Sequence, residues 1–295
     1  MNRLLSFFPL LARRARKKHF ELICILPLLI FLCVLTVVPI ARTVLLSLEP
    51  VEGNGLTMSH YRELFAQEGF RLAMFHTVSI AFLSLSIEIG LGFLFALILS
   101  KSSRVIRFLR PVFILPLAIP TAVVGVMMSY LFSGQGWINR ILMDLGVLNE
   151  PVYWMSGGWR SIVMVSLADS WKVTPIVMLI LLSGLQSIDP VLYKAARIDG
   201  AGVFYTFRRI TLPLLVPSIT AAVIIRGVDA FRIFAVPLIL MGQNLKVIGT
   251  FAYLEYQEYN NPYTSAASSV ILLGMILCAV LIYLKTAGRK GIAGA

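Results

Sequence analysis

DPVLYKAARIDGAGVFYTFRRITLP, residues 189–213, is a polar, basic island set between two long apolar runs. Asp189 has the side chain of a helix N-cap, and Pro190 fits the first helical position, where its missing N–H is no loss. The spacing predicts a short helix from Pro190 that closes at Gly200 or Gly202, where glycine accepts a left-handed backbone. Ala195, Ala196, Gly200, Ala201 and Gly202 leave its surface almost free of side chains. Such a surface suits close docking against another protein. Pro213 marks the start of the next apolar helix.

On either side of this island the chain reads as membrane. Six runs are apolar over the roughly 20 residues that a spanning helix needs. They fall at 22–46, 73–99, 109–132, 161–185, 214–236 and 264–284. Of 295 residues, 58% are hydrophobic and only 14% charged, and the mean hydropathy is +0.86. Such a composition excludes an ordinary soluble domain. The expected fold class is all-α, a polytopic membrane protein with six transmembrane helices and the lipid bilayer as its surroundings. The net charge of +12 would suggest nucleic acid in a soluble protein. Here the basic residues cluster in the loops between spans, so topology accounts for them and no nucleic-acid partner is expected.

Loop charge also sets the orientation. Arg3, Arg13, Arg14, Arg16, Lys17 and Lys18 precede the first span, and Lys101, Arg104, Arg107 and Arg110 separate spans two and three. Lys194, Arg197, Arg208 and Arg209 separate spans four and five, and Lys285, Arg289 and Lys290 follow the sixth. These 17 basic residues lie on one side; the opposite loops hold five, Arg62, Arg71, Arg140, Arg160 and Lys246. The positive-inside rule puts both termini and the island in the cytoplasm. The chain then divides into a basic cytoplasmic tail (1–20), a first span with its outer loop (21–72), a core (73–285) that contains the island, and a second tail (286–295). The N-terminal basic block follows its short apolar run instead of leading it, unlike a signal peptide. Cys24, Cys33 and Cys278 all lie in apolar runs, which predicts free thiols and no metal site.

The outer loops read as connections and interface anchors. Trp137 to Leu145 is a short amphipathic stretch, Trp154 and Trp159 sit where interfacial anchors belong, and 237–262 is a loop rich in Tyr, Asn and Gln. A docking surface for an external partner is the functional alternative.

Charges inside spans are costly and therefore informative. Arg226, Asp229 and Arg232 follow one another at spacings of three, which places them on one face of span five. Span four carries Asp169, Trp171 and Lys172, and span two carries Glu88. Lys172 lies about 16 Å in from one end of its span and Arg226 about 18 Å in from the other end of its own, so both approach the midplane. Two readings stay open: a polar substrate pathway, or an internal ion-pair network, such as Asp229 between its two arginines, that only fixes helix packing. Arg42 and Arg232, nearer the outer ends, have the option of snorkelling.

Catalytic motifs are missing from the sequence. It has no HExxH, no GxSxG and no Walker GxxxxGK[ST]. His19, His60 and His76 lack metal-ligand spacing. A transporter built on this chain and driven by ATP would need its ATPase on another chain.

YKAARIDGAGVFYTFRRITLP (Tyr193–Pro213) closely resembles the EAA loop of importer-type ABC transporter permeases, matching at Ala195, Ala196, Asp199, Gly200, Ala201, Phe207, Ile210, Leu212 and Pro213. The flanks ADSWKVTPIVMLILLSGLQSIDP (Ala168–Pro190) and RGVDAFRIF (Arg226–Phe234) resemble the carbohydrate-uptake branch, the maltose-permease and glycerol-phosphate-permease group. The resemblance covers roughly residues 20–285. It implies a type I importer permease fold, a second homologous permease subunit in a heterodimer, two ATP-binding subunits and an extracytoplasmic solute-binding protein. It implies no cofactor on this chain, with ATP and Mg on the partner ATPase. The coupling contacts it implies are Tyr193, Lys194, Ala195, Ala196, Asp199, Gly200 and Ala201. The sugar-contacting positions it implies are Lys172, Val173 and Ile176 on span four and Arg226, Asp229, Ala230 and Ile233 on span five, with Glu88 added from its depth in span two. Lys194 stands where the family has the glutamate that names the motif, and Met241–Asn244 replaces a glycine-rich turn.

The sequence thus reads as a non-enzymatic permease subunit of an ATP-driven ABC importer for a sugar or sugar-like solute, working by alternating access. Its rivals are a stand-alone secondary transporter or channel, in which Glu88, Asp229 and Lys172 would relay protons, and a membrane-embedded enzyme, for which no motif speaks.

Overall fold

A computed structural model describes residues 24–291 apart from 54, 102 and 103. The basic tail expected at 1–20 lies outside these residues. Among those described, all regular structure is helical. The spans are α1 (Cys24–Leu46), α3 (Glu68–Leu99), α7 (Gly158–Ser187), α9 (Val203–Phe231) and α12 (Pro262–Gly291). Another crossing is shared by α4 (Arg104–Ala118) and α5 (Thr121–Leu131). Between the spans lie α2 (Ser59–Ala66), α6 (Trp137–Asp144), α8 (Pro190–Ile198), α10 (Ala235–Met241) and α11 (Ile248–Gln257).

Three expectations for the spans need correction. The third is not one rod: its two halves meet at 95°. Pro120 adopts φ −57°, ψ 140° at the N-cap of α5, and the residue before a proline is pushed out of the helical region, so Ile119 cannot carry the helix through. The fifth, expected to run from 214 to 236, stops at Phe231; Arg232 is its C-cap, and α10 begins only at Ala235. Arg232 therefore leaves the face it was expected to share with Arg226 and Asp229. Finally, 237–262 is not a plain loop. The rest of α10 and all of α11 lie within it, and Leu245, Val247 and Ile248 are fully buried.

The bundle is built on α3, α7 and α9. Ser84 Oγ donates to Ser166 O, Ser170 Oγ donates to Ser84 O, and eight residues on Gly92 meets Val177 and Met178. Contacts that advance together show that α3 and α7 run parallel. The pair packs closely because small side chains line its seam, as is usual where lipid replaces water. A Cβ on Gly92 would lie 2.7 Å from the Val177 side chain. Between α7 and α9 the order reverses: Asp169 faces Arg226, while Gly184 faces Ser218. They are antiparallel.

Apolar side chains form two main layers around this triple. One joins Ile80, Val124, Met128, Ile162, Val165 and Ile233 towards the α5 and α10 end; the other joins Ala96, Leu99, Val177, Leu181, Leu215 and Ala222 towards the island. Glu88, Asp169 and Arg226 fall between the two layers. A third group, with Leu64, Phe70, Ile248 and Phe251, fastens α2 and α11 to α3 and α12. By contrast α1 is exposed over its apolar length, the side-chain distribution of a helix that meets lipid or another subunit.

The outer loop before α7 is organised by Asn139. Its amide donates to the carbonyls of Ser133, Gly134 and Val152, and its Oδ1 accepts from Val152 N and Trp154 Nε1. Trp154 is thus a buttress, edge-on to Phe132, whereas Trp159 is exposed as an anchor should be. His60 bonds Glu49 O and His76 bonds Lys246 O, both structural roles. Arg42 reaches Glu49 at 2.9 Å instead of standing alone.

Candidate functional site

Four charged side chains from three helices converge between the apolar layers. Arg226 Nε donates to Glu88 Oε2 at 2.8 Å and Nη2 donates to Glu88 Oε1 at 3.1 Å. This fork geometry is the strongest that the two groups can form. Nη1 donates to Asp229 Oδ2 at 3.2 Å, and Asp169 Oδ2 lies 3.5 Å from Nη2. Burial differs sharply within the cluster: side-chain exposure is 0% for Glu88 and 4% for Arg226 but 50% for Asp229. Two charges taken out of water must be paired, and these are.

Lys172 lies one turn beyond Asp169 on α7, and its Nζ donates to Thr121 Oγ1 at the start of α5. The bend at Pro120 is what brings Thr121 there. Val173 and Ile176 are half-buried on the same stripe of α7. Ala230 is buried on α9, and Ile233 is buried just past its end. Of the expected pathway residues, Glu88, Arg226 and Asp229 are brought into direct contact; Lys172 is held beside them, while Val173, Ile176, Ala230 and Ile233 supply apolar surroundings. Asp229 does not lie between two arginines, because Arg232 caps the end of the helix; instead Arg226 lies among three carboxylates. Asp169 was passed over as a site residue, although its spacing of three from Lys172 was the available signal.

The second site is the island. Asp189 accepts from Val191 N at 2.8 Å and Pro190 opens α8. Gly200 takes φ +73° after Asp199, with its N–H bonded to Arg197 O. It alone makes the left-handed turn; Gly202, with φ −68° and ψ 163°, instead begins α9. Tyr193 and Ala196 turn inward, where the Tyr193 hydroxyl meets Thr211 Oγ1 at 3.2 Å. Lys194, Ala195, Asp199 and Gly200 face outward, and Ala201 is half-buried. Ile198 is 86% exposed, an apolar side chain with nothing over it in this chain.

Membrane-crossing helices with a charged, largely buried centre, and a capped helix projecting at one end, define a polytopic membrane protein. The model for the binding-protein-dependent transport system inner membrane component matches residues 88–287. Over 279 residues the chain is 34% identical to a trehalose/maltose transport system permease of Thermococcus litoralis, covering 92% of this chain and 94% of that one. It is 25% identical over 291 residues to a trehalose transport system permease of Mycobacterium tuberculosis, covering 95% and 92%. Its fold matches a chain of a bacterial ABC transporter involved in the import of the acidic polysaccharide alginate, with a TM-score of 0.82 at 22% identity over 95% of this chain and 98% of that one. The chain belongs to the family of inner membrane components of binding-protein-dependent transport systems. It is an ABC importer permease subunit with the type I permease fold.

Proposed function

We propose that this permease moves an uncharged sugar along a pathway lined by Lys172, Val173, Ile176, Asp229, Ala230 and Ile233, with Glu88 and Arg226 behind it. The observation that carries this reading is the engagement of Arg226. Its Nε and Nη2 are taken by Glu88 and its Nη1 by Asp229, so it has no free fork for a carboxylate or phosphate. What remains accessible is half of the Asp229 side chain, with the Lys172 ammonium nearby, an acceptor and a donor that suit hydroxyl groups. The named substrates of two similar permeases, trehalose and maltose, agree with this choice, whereas the chain of matching fold belongs to an importer of an acidic polysaccharide.

Energy would reach the pathway through the island. An ATPase on a separate chain, with its own ATP and Mg, would grip the outward face of α8 at Lys194, Ala195, Asp199 and Gly200. Closure of two such subunits would swing α7 and α9 as rigid bodies, exposing the pathway alternately to each side. A second permease would complete the pathway across the open side of Asp229, and a solute-binding protein would deliver sugar to the outer loops. Both termini would be cytoplasmic, on the side of the 17 basic residues. Isolation of the tagged chain from membranes in mild detergent tests this assembly. An ATPase and a second permease should co-purify and support ATP-dependent sugar uptake in proteoliposomes. Gradient-driven uptake by the chain alone would overturn it.

A further inference from the structure

A cavity of about 950 Å³ lies between the inner face of α8 and the ends of three spans. Its floor is apolar, formed by Leu97 near the end of α3, Leu185 and Ile188 at the end of α7, and Phe207 in the wide turn that leads into span five. Lys101 and Arg197 stand at its rim, both exposed. The apolar run of α3 ends at Leu99 and that of α7 at Leu185, just before Lys101 and the basic island, so the floor lies at apolar helix ends and the rim at the basic loops of one membrane side. Arg208 and Arg209 follow on the adjoining turn. None of these four basic side chains forms an ion pair among the described residues. The carboxylates on this stretch are Asp189, engaged in its cap, and Asp199.

We propose that this cavity holds one anionic phospholipid of the basic-side leaflet, its phosphate at Lys101 and Arg197 and the upper part of its acyl chains against Leu97, Leu185, Ile188 and Phe207. Charge and depth select this occupant. The rim is doubly positive where phosphates lie, and the floor is apolar where acyl chains begin. A soluble anion would gain nothing from the floor, and a neutral lipid nothing from the rim. The site uses a different face of α8 from the outward one. Pro190, Tyr193 and Arg197 line the cavity, whereas Lys194, Ala195 and Ile198 face away. The lipid would brace the coupling helix from behind, and its binding stands whether or not an ATPase meets the other face.

Native mass spectrometry of the purified full chain tests the assignment, with phosphatidylglycerol and phosphatidylcholine of matched acyl chains. One phosphatidylglycerol should be retained in preference to phosphatidylcholine. K101E/R197E should lower that retention about tenfold or more, and K101R/R197K should keep it. L185W, which fills the floor without changing charge, should lower it as well. Equal retention of both lipids, or unchanged retention in K101E/R197E and L185W, would overturn the proposal. So would displacement of the lipid by millimolar inorganic phosphate, which would mark a free-anion site.

Discussion

The two charged regions of this permease are built on opposite plans. At the bundle centre, Glu88 and Arg226 are sealed from solvent and satisfy each other through a fork of two hydrogen bonds. On the island, Lys194, Arg197, Asp199, Arg208 and Arg209 are exposed and form no ion pair among the described residues. The centre spends its charges within the chain, and the island keeps them for whatever docks there. Changes at the centre should therefore damage the fold, while changes on the island should damage coupling and leave the fold standing.

The largest effect is expected at Glu88. Glu88→Ala strands Arg226 between two weaker carboxylate contacts, and breaking a buried pair costs about 3–5 kcal/mol. Folded yield and thermal stability in detergent should fall steeply. Glu88→Leu combined with Arg226→Met and Asp169→Leu should recover much of the loss, since Asp169, 3.5 Å from Arg226 and buried, would otherwise be the stranded charge. If the single variant were as stable as the parent, the contrast between the regions would be broken from the side of the centre.

Next comes the seam that holds the centre together. Gly92→Val would drive a side chain into Val177, and overpacking of this kind costs about 1–3 kcal/mol. Its thermal midpoint should drop, and Val177→Ala should restore part of it. A smaller loss is expected at the island's own cap. Asp189→Ala removes the bond to Val191 N, worth about 1 kcal/mol to a helix. Here the comparison sharpens: global stability should barely move, and proteolysis within 189–202 should accelerate.

The same contrast governs what was legible in the sequence. The island could be read almost residue by residue, because caps and turns are local: Asp189, Pro190 and Gly200 do what their side chains dictate. Spans two, four and six were legible from hydropathy alone. The centre was legible only as a set of depths. Which carboxylate meets Arg226 depends on how α3, α7 and α9 lie together, and Glu88 lies 138 positions away. Asp169 was legible as a charge within its span but not as a neighbour of Arg226. The break after Phe231 and the helices within 237–262 escaped because hydropathy runs on through a break. The apolar residues of α11 read as scattered among polar ones until α2, α3 and α12 are packed around them. At Pro120 the sequence did carry a signal, but a proline in a membrane run marks either a kink or a complete turn, and only packing decides which.

If the island transmits the motor's work while the centre holds the fold, Gly200 separates the two roles, because its φ of +73° is one that a residue with a side chain adopts only with strain, a local cost of about 1–3 kcal/mol. The decisive measurement is ATP-dependent sugar uptake by proteoliposomes containing the assembled importer, with Gly200→Trp compared with the parent at equal folded content. The variant should give an assembled or nearly assembled complex in which ATP no longer drives uptake. Uptake at the parental rate with normal assembly would contradict this division of roles.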